Sequence, residues 1–252
     1  MANQLAGKVA IITGAARGLG RAFALGYAAE GADIVAVDVI DPAATKAAAE
    51  KFGVRALALT VDVSSEEQTQ HMAREALKAF GKIDILMNNA AIYELRPFDQ
   101  LTLADWKRLM AVNVDGMFLC AKAVVPHMRQ QKHGRIINIS SGTFWAGTAG
   151  FSHYVTSKGA VVGFTRATAA EFGVDGITVN CIAPGLTQTE GMKAIGPEEV
   201  QEMMWEQIIA MQAIKRRETP QDLVGAAVFF ASDASSFITG QTLCVDGALV
   251  KH

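Results

Sequence analysis

The chain has 252 residues, half of them hydrophobic, and carries a formal net charge of −2. That composition excludes a disordered chain and supplies enough apolar side chains for a sizeable core. The near-neutral balance offers no electrostatic footing for nucleic acid or for an anionic membrane.

Met1-Ala2-Asn3-Gln4 opens without the basic flank and apolar core of a signal peptide. Val9–Thr13 reads as a buried strand, and a glycine-rich turn from Thr13 to Gly20 leads into helical sequence that runs to about Glu30. Further strands are expected at 33–38, 54–61, 83–87, 135–139, 177–182 and 243–245. The segments between them are rich in Ala, Leu, Glu, Lys and Gln and carry helical periodicity, notably 103–131, 152–172 and 198–211. Near-continuous apolar strands separated by helices imply a parallel sheet covered on both faces. The expected fold is therefore α/β, a single Rossmann-type doubly wound parallel sheet of about seven strands spanning 1–252. Residues 186–217 depart from the pattern, with Gly191, Gly196 and Pro197 ahead of a Met- and Trp-bearing helix. Following a strand end, they are expected to form a small mobile substrate lobe. No apolar run is expected to reach the roughly 18 residues of a membrane span. Cys120, Cys181 and Cys244 lie far apart with no metal-ligand spacing, so buried reduced thiols, no bound metal and a cytoplasmic location are expected.

Strand, glycine turn and helix together make a phosphate cradle. Gly14 permits the tight turn, Gly18 and Gly20 leave room for a pyrophosphate, and the free N–H groups at the helix start, around Leu19, favour the anion. Asp38 ends the second strand 18 residues after Gly20, the context a dinucleotide site demands. Its carboxylate is expected to bind the adenosine ribose hydroxyls. A 2′-phosphate there would meet a like charge, worth on the order of 4 kcal/mol at ~4 Å and a dielectric near 20. Arg17 argues for the phosphorylated cofactor, but it can turn to solvent, so NAD is expected. Asp62, with Val63 beside it, is a candidate for the adenine. Asn88, Asn89 and Ala90 end the fourth strand, where the asparagines either lock neighbouring strand ends and hold the ribose through the backbone or serve as simple turn residues.

Tyr154 and Lys158 are spaced to share one helical face, and Ser141 lies just past the fifth strand. A tyrosine with a pKa near 10 is a poor base, and an adjacent ammonium together with an oxidised nicotinamide is expected to lower it. Tyr154 then exchanges a proton with a substrate hydroxyl while a hydride moves, and Ser141 holds the substrate oxygen.

These residues, with Asn113, Pro184-Gly185, the stretch 237–241 and Val245-Asp246-Gly247, resemble the short-chain dehydrogenase/reductase family over the whole chain. The resemblance implies a tetrad of Asn113, Ser141, Tyr154 and Lys158, with Asn113 holding a water in a proton relay that ends at Lys158. It implies a nicotinamide contact from Pro184 through Thr187 and Thr189, and a homotetramer paired through the helices at 103–131 and 152–172. Ala91 and Ala248 stand where the family has glycine. A closer likeness within the family, at 97–99, 101–102, 144–145, 153–154 and 175–180, is to NAD-dependent dehydrogenases of secondary aryl alcohols. Tyr93, Trp145, His153, Leu186, Met192, Met203 and Trp205 are candidates for an apolar pocket without an arginine fork for an acid. The expected activity is hydride transfer between a medium-sized secondary alcohol, aromatic or otherwise apolar, and its ketone. An NADPH-dependent 3-oxoacyl-thioester reductase is the alternative.

Overall fold

The computed structural model describes residues 3–191 and 197–250. Among them, β1 (Val9–Thr13), β2 (Asp33–Asp38), β3 (Ala56–Thr60), β4 (Ile85–Asn88), β5 (Gly134–Ile139), β6 (Ile177–Pro184) and β7 (Thr242–Val245) form one sheet. Its order is 3-2-1-4-5-6-7 and every pairing is parallel. The helices are α1 (Gly18–Ala29), α2 (Ala43–Glu50), α3 (Glu66–Phe80), α4 (Leu103–Met110), α5 (Gly116–Gln131), α6 (Thr143–Ala146), α7 (Ser152–Phe172), α8 (Glu198–Met211) and α9 (Pro220–Ala231).

Alternation along the central strands divides their side chains between two apolar layers. Ala10, Ile12, Ile34 and Ala36 pack with Phe23 and Tyr27 of α1 and with Leu223 and Phe230 of α9. Val9, Ile11, Val35 and Val37 pack on the other face with Met72 of α3, Val124 of α5 and Phe172 of α7. Both faces are covered, so the strands read as unbroken apolar runs. Each fully buried side chain of this size contributes about 1.5–3 kcal/mol of transfer free energy.

The strand ends differ from the sequence-based expectation by about two residues. β3 starts at Ala56 rather than 54, because the β2 ladder begins at the pair Ile34–Ala56. β4 runs from Ile85 to Asn88, where it has β1 and β5 on either side; Ile83 is buried ahead of it without joining the ladder. The helix expected over 103–131 is interrupted by a π turn at Ala111–Asp115.

One expectation is overturned. Leu103–Gln131 is long and apolar enough, by length and composition, to cross a membrane. Half of its most apolar window is buried inside the fold, where Cys120, Ala121, Val124 and Met128 pack on the sheet. The apolarity belongs to a core helix. No disulfide joins the cysteines; Cys120 and Cys181 are buried and Cys244 is half-buried.

In the region expected to form the lobe, Thr187 bridges Glu218, and Trp205 of α8 is buried beneath the Arg217 guanidinium, 5.3 Å from its ring centroid. Met203 is largely exposed. Met192 and Gly196 lie outside the described residues.

Ala248, where the family resemblance leads one to expect glycine, sits at φ 61°. An L side chain in this left-handed region costs roughly 1–2 kcal/mol, against a smaller entropic cost for glycine. Ala248→Gly is therefore expected to stabilise the protein by about 1 kcal/mol in urea unfolding.

Candidate active site

β5 and α7 are stitched together where they enter the site. The Ser140 hydroxyl donates to the carbonyl of Lys158 at 2.9 Å, and Lys158 Nζ donates to the carbonyl of Ile139 at 2.8 Å. The stitch fixes Tyr154 one turn earlier, with Lys158 Nζ 5.4 Å from the Tyr154 ring centroid. Ser141 Oγ accepts from the Thr143 amide at 3.2 Å and from the Thr143 hydroxyl at 2.9 Å, which leaves the Ser141 proton for the cleft. The π turn aims Asn113 inward. Its Oδ1 accepts from Ile92 N–H at 2.8 Å, and its Nδ2 donates to the Ile92 carbonyl at 2.9 Å and to Ser157 Oγ at 3.1 Å. A cavity of about 10 Å³ lies among Asn88, Asn113, Ile139 and Lys158, room for one water. Asn88 Oδ1, buried beside it, has no partner among the described residues.

Burial governs the ionisation of the pair. Burial pushes the Tyr154 phenol up to about 12, with the neighbouring Ser141 hydroxyl pulling weakly the other way. Burial also pushes Lys158 down to about 8. Desolvation is the leading cause for both groups, although Tyr154 keeps part of its surface open to the cleft.

At the opposite end of the site the glycine turn leads into α1, which has no acidic residue in its first turn and no side-chain cap. The Gly18 N–H instead donates to the Glu190 carboxylate at 3.2 Å, so a carboxylate lies where an anionic ligand would be held. The cradle thus suits a pyrophosphate. Gly20 also serves the packing of α1 on the turn, since a Cβ there would lie 2.0 Å from the carbonyl oxygen of Gly14. Asp38 Oδ2 accepts from Ala16 N–H at 2.9 Å and Oδ1 from Ile40 N–H at 3.2 Å. Asp62 Oδ1 accepts from the Ser64 amide and hydroxyl, and Val63 is buried against Gly116. Asn89 Nδ2 donates to the carbonyls of Thr13 and Gly14, and Asn88 Nδ2 donates to Asn138 Oδ1. The two asparagines therefore lock strand ends, as one of the two readings had it.

A family model described as Enoyl-(Acyl carrier protein) reductase matches residues 14–249. The chain belongs to the short-chain dehydrogenase/reductase family. It is 41% identical to the (2S)-[(R)-hydroxy(phenyl)methyl]succinyl-CoA dehydrogenase subunit BbsD of Thauera aromatica, over 95% of each chain. It is 37% identical to the meso-2,3-butanediol dehydrogenase of Serratia marcescens, over 95% of this chain and 93% of that one. Among solved structures, levodione reductase superposes with a TM-score of 0.91 at 33% identity, covering 96% of this chain and 97% of that one. These relatives are oxidoreductases, and the family binds a nicotinamide cofactor.

Within this dehydrogenase fold, aromatic rings wall the cleft around Tyr154. Tyr93 meets it edge-on at 6.2 Å and Phe151 at 5.9 Å, while Trp145 stacks edge-on with Phe144 at 4.9 Å. Leu186 is half-buried at the start of the segment after Pro184. Phe151 was missed in the sequence, although its place three residues before Tyr154 signals a shared face. Thr143 was missed as well, and two residues of spacing from Ser141 carry no signal for its hydrogen bonds. His153, expected on the pocket wall or at an interface, is 1% exposed. Neither ring nitrogen has a partner among the described residues, and burial holds its pKa down. The charges acting on it are those of Glu94, Asp105, Arg96 and Arg108, so it packs beneath the loop after β4. Trp205 is likewise buried and Met203 faces outward, so neither joins the rings around Tyr154.

Lys158, 3% exposed, ionises at about 8 in the folded protein, below the ordinary 10.5. Its charged form is thus penalised by folding, fully below pH 8 and not at all above 10.5. Lys158→Met is expected to raise stability at neutral pH by on the order of 2 kcal/mol, an advantage that shrinks as pH rises beyond 8. Urea denaturation across that range measures it.

Proposed function

We propose that this protein is an NAD-dependent dehydrogenase interconverting a secondary alcohol, aryl or otherwise apolar, and its ketone. The observation that carries the reading is the position of the Tyr154 phenol, between the Ser141 hydroxyl and Lys158 and beside aromatic rings. Ser141, its lone pairs engaged by Thr143, donates to the substrate oxygen and sets it against Tyr154. Tyr154 donates its proton to a ketone oxygen or takes one from an alcohol. Lys158 passes the proton on through a water in the cavity it shares with Asn113. The bound nicotinamide supplies hydride exchange and, when oxidised, a positive charge that opposes the effect of burial on Tyr154. The BbsD relative bears the name of a phenyl carbinol substrate, which supports the aryl reading.

The cofactor-binding residues are read as Gly14, Arg17, Gly18, Leu19 and Gly20 at the pyrophosphate, Asp38 at the ribose, Asp62 and Val63 at the adenine, and Asn89 and Ala90 behind it. Pro184, Thr187 and Thr189 meet the nicotinamide, Thr187 through its backbone because its hydroxyl is spent on Glu218. Trp145 and Leu186 contact the substrate. Two backbone N–H groups hold the Asp38 carboxylate where a 2′-phosphate would meet it, and the next residues, Val39 and Ile40, are exposed and uncharged. Arg17 is exposed and its charge acts on Tyr93 across the cleft. The same reading takes the protein as a cytoplasmic homotetramer paired through α4, α5 and α7, whose outer surfaces expose Leu103 and Phe118. A relative 35% identical over 98% of each chain, the 3-oxoacyl-[acyl-carrier-protein] reductase of Synechocystis, favours a second reading, an NADPH-dependent reductase of 3-oxoacyl thioesters.

NADH formation over a panel of secondary alcohols that includes 1-phenylethanol tests the reading. Turnover with NAD is expected. Tyr154→Phe should cut it by about a thousandfold with NADH affinity kept, and Asp38→Ala should admit NADP. Turnover confined to NADPH and 3-oxoacyl thioesters would replace this reading with the second one.

A further inference from the structure

A buried carboxyl group lies behind the segment that follows β6, and no step of the proposed reaction uses it. Glu218 immediately precedes the capping residue Thr219 and Pro220 at the start of α9. Its Oε1 accepts from the Thr187 hydroxyl, and its Oε2 accepts from Gly185 N–H at 3.1 Å. Its backbone carbonyl accepts from Gln188 N–H at 2.8 Å, which closes an isolated parallel bridge with Thr187. A Cβ on Gly185 would lie 2.9 Å from Glu218 Oε2 and 3.0 Å from Asp246 Cβ, so that residue is wedged between two acidic side chains. One glutamate therefore holds residues 185, 187 and 188.

We propose that Glu218 is the positioning residue for the nicotinamide end of the cofactor, holding residues 185–188 firmly when ionised and loosely when protonated. The proposal rests on the reading of Pro184, Thr187 and Thr189 as the nicotinamide contact. An ionised carboxylate accepts on both oxygens, and both bonds are charge-assisted. Protonation puts a hydrogen on one oxygen, so the Thr187 bond must reverse or break and the Gly185 bond falls to neutral strength.

The surroundings bring this change into the neutral range. Burial pushes Glu218 up to about 7; the bonds from Thr187 and Gly185 pull it down, and Asp246 and Asp222 add to the rise. Asp246, just past β7, has its oxygens occupied by the Leu249 and Val250 amides. Asp222 lies in the first turn of α9, and Arg216, the cation facing Glu218 from the preceding loop, is held by both Asp222 oxygens at 2.7 and 2.6 Å. A carboxyl raised above its ordinary 4.5 is destabilising to the free protein when charged. Stability from this group falls as pH rises from 4.5 to 7, while the hold on the segment grows over the same window.

Calorimetric titration of NADH and of ADP-ribose, which lacks the nicotinamide, separates this role from a general structural one. Both are bound to the wild-type protein and to Glu218→Gln at pH values about one unit below and above 7. Wild-type affinity for NADH is expected to fall about fivefold at the lower pH, the effect of weakening roughly one hydrogen bond. Glu218→Gln should bind NADH with that weaker affinity at both values. Glu218→Asp, which keeps the charge, should keep a pH dependence, and it stands in if the glutamine variant does not fold. ADP-ribose affinity should not change with pH or variant. Wild-type NADH affinity independent of pH, or an unchanged pH dependence in Glu218→Gln, would overturn the proposal while leaving the cofactor reading intact. Failure of ADP-ribose to bind would overturn the cofactor reading and this proposal with it.

Discussion

The seam between β1 and β4 is the constraint on which the site depends. β1 has β2 on one side and β4 on the other, so the chain departs from their ends toward opposite faces and a crevice opens between them. A crevice at the ends of two strands exposes backbone groups that must find partners. The Thr13 hydroxyl donates to the Met87 carbonyl at 3.3 Å and accepts from the Asn89 and Ala90 amides, each at 3.0 Å. Asn89 returns two bonds to the glycine turn. This small polar knot fixes the turn against the end of β4. Ile92, shortly beyond it, is gripped by Asn113, and Asn113 reaches α7 through Ser157, whose hydroxyl in turn donates to the Tyr154 carbonyl. A continuous hydrogen-bonded path thus runs from the glycine turn to the helix that carries Tyr154 and Lys158.

The same region carries the least comfortable groups in the protein. Lys158 is buried far enough to lose much of its basicity, Tyr154 to lose much of its acidity, and Glu218 to titrate near neutrality. His153 and Asn88 each keep a buried polar atom with no partner among the described residues. Polar groups placed this way cost stability, and the apolar layers on either face of the sheet offset it. Two of these groups answer to one cause. Low dielectric around the phenol and the amine favours the neutral form of each, so their pKa values move apart, the phenol up to about 12 and the amine down to about 8.

Much of this was legible before any coordinates. The apolar runs of β1, β2 and β5 and the four-residue spacing of Tyr154 and Lys158 are local patterns, set by a few consecutive side chains. Legibility failed where a residue's partner is distant in sequence. A Cβ on Gly20 would lie 2.6 Å from Asn89 Nδ2, a close approach that only the fold brings about. Asn113 looked like one position of an unbroken helix, and only its bonds to Ile92 and Ser157 account for the side of a π turn it occupies. Glu218 carries no motif at all; its role comes from Thr187 and Gly185, about thirty residues earlier.

The sequence by itself determined the α/β class, the parallel sheet and the family, because periodicity and short motifs are properties of neighbours along the chain. Tertiary structure alone decided which of those residues face one another, how far burial shifts their ionisation, and that an apolar 29-residue helix belongs to the core. Burial and electrostatic environment are sums over residues from every part of the chain, and only the packed molecule brings those residues within reach.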